Sequence, residues 1–263
     1  MYLGGYRQDP LVDTESAAEE LADRAGSYMR TWYRMFNPTQ FFFACDANSN
    51  SYWRKAFYGE YKAHREEDVL KKLVRRAIGI YKKQHEKYCI EYAQCEADDV
   101  IHALVKYLPG HKIIISSDKD FEQLMSDYVW LFDPKTQTYR RQPESFEQVN
   151  FNLFLKCIRG DRGDNIPSAY PRILTKKIKK IFQCSKTRED FLNLTHPEGG
   201  LVKEYFLRNQ KLIDLAQIPK ALEENLKNHM ISRVHGLENG LENGLGVLEK
   251  NISVELDLTT AIP

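Results

Sequence analysis

The chain has 263 residues, with 38 Lys and Arg against 37 Asp and Glu, for a net charge of +1 with histidine neutral. That length suits one large domain, or a domain with an appendage, that can bury a sizeable core without staples. Five cysteines without a CxxC pair argue for reduced thiols, and no apolar run approaches the roughly 18 residues of a membrane helix, so a soluble, cytoplasmic monomer is expected.

From Thr14 to about Phe36 the apolar spacing predicts a helix, capped by Asp13 or Thr14 and stopped by Asn37-Pro38. "TQFFFACD" reads as a buried strand ending on Asp46. Residues 47–65 mix aromatic and basic side chains without a clean period; a long helix follows from Glu66 to about Lys87, then a short strand, "YCIEY". "CEADDVIHALVKYL" sets Val100, Ile101, Leu104, Val105 and Leu108 on one helical stripe, with Glu96, Asp98 and Asp99 at the first turn. "HKIIISSDKD" is a buried strand from Lys112 to Ser117 with Asp118 and Asp120 past its end, and "YVWLFDP" is a shorter strand. Beyond about Glu144 the pattern is helical to about residue 230. "GLENGLENGLG", Gly236 to Gly246, is expected to link to an acidic tail. The expected class is α/β, a mostly parallel central sheet flanked by helices and followed by a helical part. The expected divisions are 1–143, 144–235 and 236–263.

Charge is strongly segregated within this near-neutral total. Residues 54–87 carry eleven Lys and Arg against five acids, and Arg172 to Arg188 carries seven against none. Such stretches point to a polyanion, although solvated helix faces also collect charge.

The carboxylates form the second signal. Parallel sheets bind ligands outside the carboxyl ends of their strands. Asp46 ends one strand, Asp118 and Asp120 follow another, and Glu96, Asp98 and Asp99 open a helix after a third. "RGDRGDNIPSAY" adds Asp161 and Asp164. Singly, each group has an ordinary explanation as a helix-terminus or turn residue. Together, so many carboxylates at one rim repel unless cations lie between them. Oxygen-only ligands suit Mg²⁺ or Mn²⁺, and a basic surface beside them implies phosphate chemistry.

"YKAHR", "CEADDVIHAL", "IIISSDKDFEQL" and "GDRGDNIP", in that order along the chain, resemble the motifs of the 5′-nuclease superfamily of flap endonucleases and 5′-3′ exonucleases. "ACDANSNSYWRKAF" followed by "YKAHR" is most similar to the phage ribonuclease H branch, which removes RNA primers during replication. The resemblance covers roughly Arg24 to Phe182. It implies a first metal cluster at Asp46, Glu96, Asp98, Asp99 and Asp118 and a second at Asp120, Asp161 and Asp164, holding two Mg²⁺ ions. It implies a helix–three-turn–helix motif that begins near "RGDRGDNIP" and binds the duplex backbone, making 144–235 the duplex-binding part.

The same resemblance makes 47–87 a basic arch over the site. Arg54 and Lys62 there approach the scissile phosphate as catalytic residues, and Arg65 completes the basic pattern. Tyr52, Trp53, Phe57 and Tyr61 are candidates for stacking on unpaired bases, with ordinary packing as the even alternative. The hairpin glycines of relatives are absent from "SAYPRILTKK", so duplex contact is expected to rest on Arg172, Lys176, Lys177, Lys179 and Lys180. Relatives open with an apolar strand ending in an aspartate, and "MYLGGYRQDPLVDTES" offers neither. The implied partners are branched or nicked DNA and RNA–DNA duplex, with a single-stranded DNA-binding protein or sliding clamp as protein partner. A non-catalytic binder of branched DNA is the rival reading. A PIN-type ribonuclease is a third, disfavoured by "GDRGDNIP" and the basic helix behind it.

Overall fold

A computed structural model of the chain describes residues 14–66, 68–143 and 145–244. Helix α1, Glu15–Phe36, starts where the Thr14 hydroxyl accepts a hydrogen bond from the Ala17 amide, and ends at Asn37, whose backbone is left-handed with φ 42°. Strand β1 is Phe43–Ala44, and α2, Trp53–Phe57, follows it. Helix α3, Val69–Gln84, is capped by the Asp68 carboxylate, which accepts from the Lys71 amide. Strand β2, Cys89–Ile90, then leads into α4, Ala97–Tyr107. Strands β3, Lys112–Ile115, β4, Val129–Asp133, and β5, Thr138–Tyr139, complete the α/β part. Helices α5, Phe146–Arg159, α6, Thr175–Gln183, α7, Ser185–Leu192, α8, Val202–Ile213, and α9, Lys220–Gly244, follow among the described residues.

The strands form two short sheets. β1 pairs with β2 in parallel, with Phe43 opposite Cys89. β3 pairs with β4 in parallel, with Ile113 opposite Trp130, and β5 closes that sheet antiparallel to β4. Among the described residues, no strand pairing joins β1 to β3. The expected strand order is therefore present, but the sheet stands in two halves. The opening segment expected to lack a strand, 1–13, lies outside the described residues.

Apolar stripes account for the packing. Ala18, Leu21, Ala22 and Ala25 of α1 meet Leu73, Ala77 and Tyr81 of α3. Val100 and Ala103 of α4 meet Trp53, Ile90 and, from α9, Leu226 and Met230. Phe154, Ile158, Ile178, Ile181, Phe206 and Ile213 form the core of the helical part, which also takes in Tyr61. The basic segment is thereby anchored to both parts of the molecule.

Two expectations differ from the structure. Tyr52, Trp53 and Tyr61 are 6%, 6% and 2% exposed, so they pack inside rather than wait for bases; Phe57, at 50%, is the exception. The segment expected to be a linker from Gly236 is helical through Gly244 as the end of α9. A helix already propagating gains one hydrogen bond per residue, which offsets a cost of about 1 kcal/mol per glycine. Residues 245–263 of the expected tail lie outside the described residues. All five cysteines are free, as their number and spacing predict. No helix among the described residues is long and apolar enough to cross a membrane.

Candidate active site

Four separate segments deliver acids to one cleft. Asp46 follows β1, Glu96 and Asp98 stand at the start of α4, Asp118 and Asp120 follow β3, and Asp161 and Asp164 lie in the turn after α5; all seven line the cleft. Local hydrogen bonds explain how each is held. The Asp46 carboxylate accepts from the Ala97 amide at the α4 N-terminus, 2.7 Å away, so a helix end orients the acid of a neighbouring strand. Asp118 caps its own turn by accepting from the Asp120 amide at 2.9 Å. Asp161 accepts from the Gly163 amide at 2.8 Å.

The turn carrying Asp161 and Asp164 is set by Gly160. Its φ of 71° is left-handed, and a Cβ there would lie 2.2 Å from the Ile166 carbonyl oxygen and 2.7 Å from Pro167 backbone atoms. Only glycine admits this close return of the chain, which brings the Asp161 and Ile166 backbones into mutual hydrogen bonds of 2.8 Å. The turn is stitched to the basic segment. The Lys62 amide donates to the Asp164 carbonyl at 2.9 Å, and the Arg65 guanidinium donates to the Gly163 carbonyl at 3.1 Å and the Asp164 carboxylate at 2.5 Å.

Lys62, Arg65, Lys119 and Lys156 are the cationic side chains that line the cleft, against seven carboxylates, an excess of three negative charges. Lys62 pairs with Glu96 and stands 3.9 Å from Asp164. Lys156 of α5 pairs with Asp120 and, at 2.8 Å, with Asp161. The Tyr61 hydroxyl lies between Glu96 at 3.0 Å and Asp164 at 3.2 Å. As the side chains stand, no three acids among the described residues converge on one point; the lysine ammoniums lie between them.

These charges shift each other's protonation. Burial, with the Glu96 and Asp118 charges, pushes Asp98 up to about 7. Burial also raises Asp120, against the pull of Lys156. Glu96 is held below the ordinary carboxylate range: Lys62 and Arg54 outweigh a large desolvation penalty. Lys156 outweighs burial in the same way to keep Asp161 low. Burial is the main cause of the Asp98 shift and the neighbouring negative charges add to it. All-oxygen ligands with surplus negative charge fit a hard divalent cation such as Mg²⁺ or Mn²⁺.

Two expected site residues are placed elsewhere. Arg54 is 2% exposed and Asp99 0%, both beneath the cleft. The Arg54 guanidinium lies 3.0 Å from Glu96 and 2.9 Å from Asp99, and its Nε donates to the Leu212 carbonyl at 3.0 Å. Asp99 also accepts from the Trp53 indole N–H at 3.1 Å and from the Glu96 amide at 3.0 Å. Asp98 and Asp99 are about 100° apart around a helix, so when one faces the cleft its neighbour faces the interior. Conversely, Lys156 went unrecognised in the sequence. Its signal, a lysine in the last helical turn before an acidic loop, is also the ordinary pattern at a helix C-terminus.

Lys176, Lys177, Lys179 and Lys180 are exposed on α6, as is Arg172 ahead of it, while Ile178 and Ile181 hold the opposite face in the core. The helix thus presents a row of ammonium groups, with no acid on it, to solvent.

Comparison with known proteins gives a consistent pattern. A family model described as the 5′-3′ exonuclease, N-terminal resolvase-like domain, matches residues 15–150. The flap endonuclease Xni of Shewanella piezotolerans is 31% identical over 239 residues, which covers 84% of this chain and 91% of that protein. DNA polymerase I of Helicobacter pylori is 41% identical over 80 residues, 30% of this chain, and the match spans only 9% of the polymerase. Among solved structures, the T5 D15 protein co-crystallised with metal ions superimposes with a TM-score of 0.62 at 22% identity, covering 81% of this chain and 92% of that one. T5 5′-exonuclease with zinc bound gives 0.64 at 20% identity, covering 82% and 92%. At those identities the structural likeness bears on the fold.

Proposed function

We propose, from the premise that this chain belongs to the 5′-3′ exonuclease family, that it is a divalent-metal-dependent 5′-3′ nuclease. Its substrates are branched or nicked duplexes, from which it removes 5′ flaps or RNA primers during replication. The observation that carries this reading is the convergence of seven carboxylates from four distant segments on one cleft, together with a helix that exposes four lysines and carries no acid.

Asp46, Glu96, Asp98 and Asp118 would hold one Mg²⁺ ion, and Asp120, Asp161 and Asp164 the second. When bound, the ions supply a nucleophile from water at neutral pH and neutralise charge on the leaving oxygen. Lys62 and Arg65 draw the scissile phosphate in among carboxylates that would otherwise repel it. Asp99 and Arg54 act one layer deeper: Asp99 fixes the Arg54 guanidinium, which fixes Glu96. Arg54 is thus a positioning residue, and Asp99 serves it instead of a metal ion. The α6 lysines and Arg172 grip duplex phosphates as point charges, which sets the distance between duplex and cleft.

A panel of 5′-labelled substrates tests this reading. With Mg²⁺, a 5′ flap and an RNA-primed nick should be cut at or near the junction, and a continuous duplex should not. No cleavage of any substrate, or equal cleavage of flap and continuous duplex, would overturn it. Lys62→Ala should slow single-turnover cleavage with substrate affinity nearly unchanged.

A further inference from the structure

The acids of the cleft are not all held alike. Asp46, Glu96, Asp120 and Asp164 each take a hydrogen bond from another segment of the chain. The Asp118 carboxylate accepts from the Asp120 amide of its own turn, so its direction depends on the peptide that carries it. That peptide is fixed from the other side. The Ser116 amide extends the β3–β4 ladder by donating to the Phe132 carbonyl at 3.0 Å, and the Asp118 amide donates to the Ser116 hydroxyl at 3.1 Å. Between them, Ser117 lines the cleft and donates its hydroxyl to Asp133, at the end of β4, at 3.0 Å.

Asp133 is 5% exposed and stands at the centre of a small network. One carboxylate oxygen accepts from the Ser117 hydroxyl and, at 2.9 Å, from the Lys135 amide. The other accepts from the Arg140 guanidinium at 2.7 Å. The same guanidinium nitrogen lies 3.5 Å from the Ser117 carbonyl oxygen. The Lys135 amide, the Ser117 hydroxyl and Arg140 together hold the Asp133 carboxyl below its ordinary range. A hairpin aspartate needs only the bond to the backbone two residues on, which the Lys135 amide supplies. The reach back across 16 residues to Ser117 adds nothing to the hairpin. It restrains the residue that delivers Asp118 to the cleft. Partners that orient a metal-binding group from behind set metal affinity by about 10–100-fold.

We propose that Asp133 and Arg140 are positioning residues for Asp118: through Ser117 they fix the peptide that aims its carboxylate at the divalent ion. The proposal rests on the reading of the cleft as a metal site and assigns the β4–β5 hairpin a part in it.

The test is metal binding without nucleic acid. Mn²⁺ takes the same oxygen ligands as Mg²⁺, and the electron paramagnetic resonance of the free ion reports how much is bound. It is titrated into the unaltered chain, Ser117→Ala, Asp133→Ala, the double variant, Thr138→Val and Asp118→Asn, with thermal midpoints taken in chelator. Thr138→Val is the control, since it removes the 2.7 Å hydroxyl contact between Thr136 and Thr138 from the same hairpin. Ser117→Ala should raise the apparent Mn²⁺ dissociation constant about tenfold with the midpoint nearly unchanged. Asp133→Ala should raise it at least as far, the double variant no further than Asp133→Ala, and Thr138→Val not at all. Should Asp133→Ala fail to fold, Ser117→Ala alone decides. Unchanged affinity in Ser117→Ala, or an equal loss in Thr138→Val, overturns the proposal. So do losses that add in the double variant, which would mark Ser117 and Asp133 as acting separately. Loss in Asp118→Asn without loss in Ser117→Ala overturns the proposal and leaves the metal site standing. Binding by Asp118→Asn as tight as that of the unaltered chain overturns both.

Discussion

Arg54 shows how far a residue's role depends on the direction in which it points. Its charge is enclosed with Glu96 and Asp99, all three at most 2% exposed. Removing one member of such a group strands the others, which costs about 3–5 kcal/mol. Arg54→Met should therefore lower the unfolding free energy from urea melts by an amount in that range, whereas Lys62→Ala, which leaves Glu96 still paired with Arg54, should lower it less. A destabilisation below about 1 kcal/mol for Arg54→Met would show that Glu96 and Asp99 do not depend on it. Asp98 makes a second prediction at this scale. Its carboxyl, pushed up to about 7, ionises near 3.9 when unfolded, so between about pH 4 and 7 the folded chain holds the extra proton. In chelator, stability contributed by Asp98 should fall as pH rises through that window and level off above about 7. Asp98→Asn should remove that portion of the slope, seen as the difference between urea midpoints of the two proteins at about pH 5 and about pH 8. The acids themselves were legible because each follows a recognisable strand or opens a recognisable helix. The separation of Asp98 from Asp99, and of Lys62 from Arg54, was not legible, because it depends on which helix face the tertiary packing buries.

Helices were easier to read from the sequence than strands for a related reason. α1 and α4 carry several turns of apolar repeat and explicit cap residues, whereas β1 and β2 are paired over two residues each, too short for a pattern to mark their ends. The turn after α5 was legible as a turn, but not why Gly160 in particular is required. Gly160→Ala would force a Cβ into backbone 2.2 Å away, and the chain must shift to relieve it. The expected cost is about 1–3 kcal/mol, with loss of cleavage from the displacement of Asp161 and Asp164; Gly163→Ala, whose Cβ would meet only the Asp161 side chain at 3.2 Å, should cost less. Equal effects of the two changes on the urea midpoint would refute this account of the turn. On α6, Lys177→Ala and Lys180→Ala should each weaken duplex binding and reduce the slope of log affinity against log salt by about 0.9. An unchanged slope would place the duplex on another surface.

At the scale of the molecule, two half-sheets and a helical part enclose one acidic cleft with a basic helix beside it. The net charge of +1 conceals that arrangement, which only the order of charges along the chain discloses. Packing also crosses the expected divisions: Tyr61 joins the core of the helical part, and α9 returns to pack on α4. Metal affinity, phosphate attraction and the stability of the cleft are consequently linked through the same few side chains. Seven carboxylates against four cations leave the metal-free cleft under repulsion, so neutralising Asp118, which is outside the buried Arg54–Glu96–Asp99 group, should hold or raise stability in chelator while it removes activity. The most direct test is the single-turnover rate of 5′-flap cleavage as Mg²⁺ is titrated into the chain and into Asp118→Asn. The chain's rate should rise with Mg²⁺ and saturate, while Asp118→Asn, folded and at least as stable in chelator, should stay at least about a hundredfold slower at every concentration. A rate that is independent of Mg²⁺, or an Asp118→Asn protein that cleaves as fast as the unaltered chain, would contradict the assignment of the cleft as the metal-dependent site.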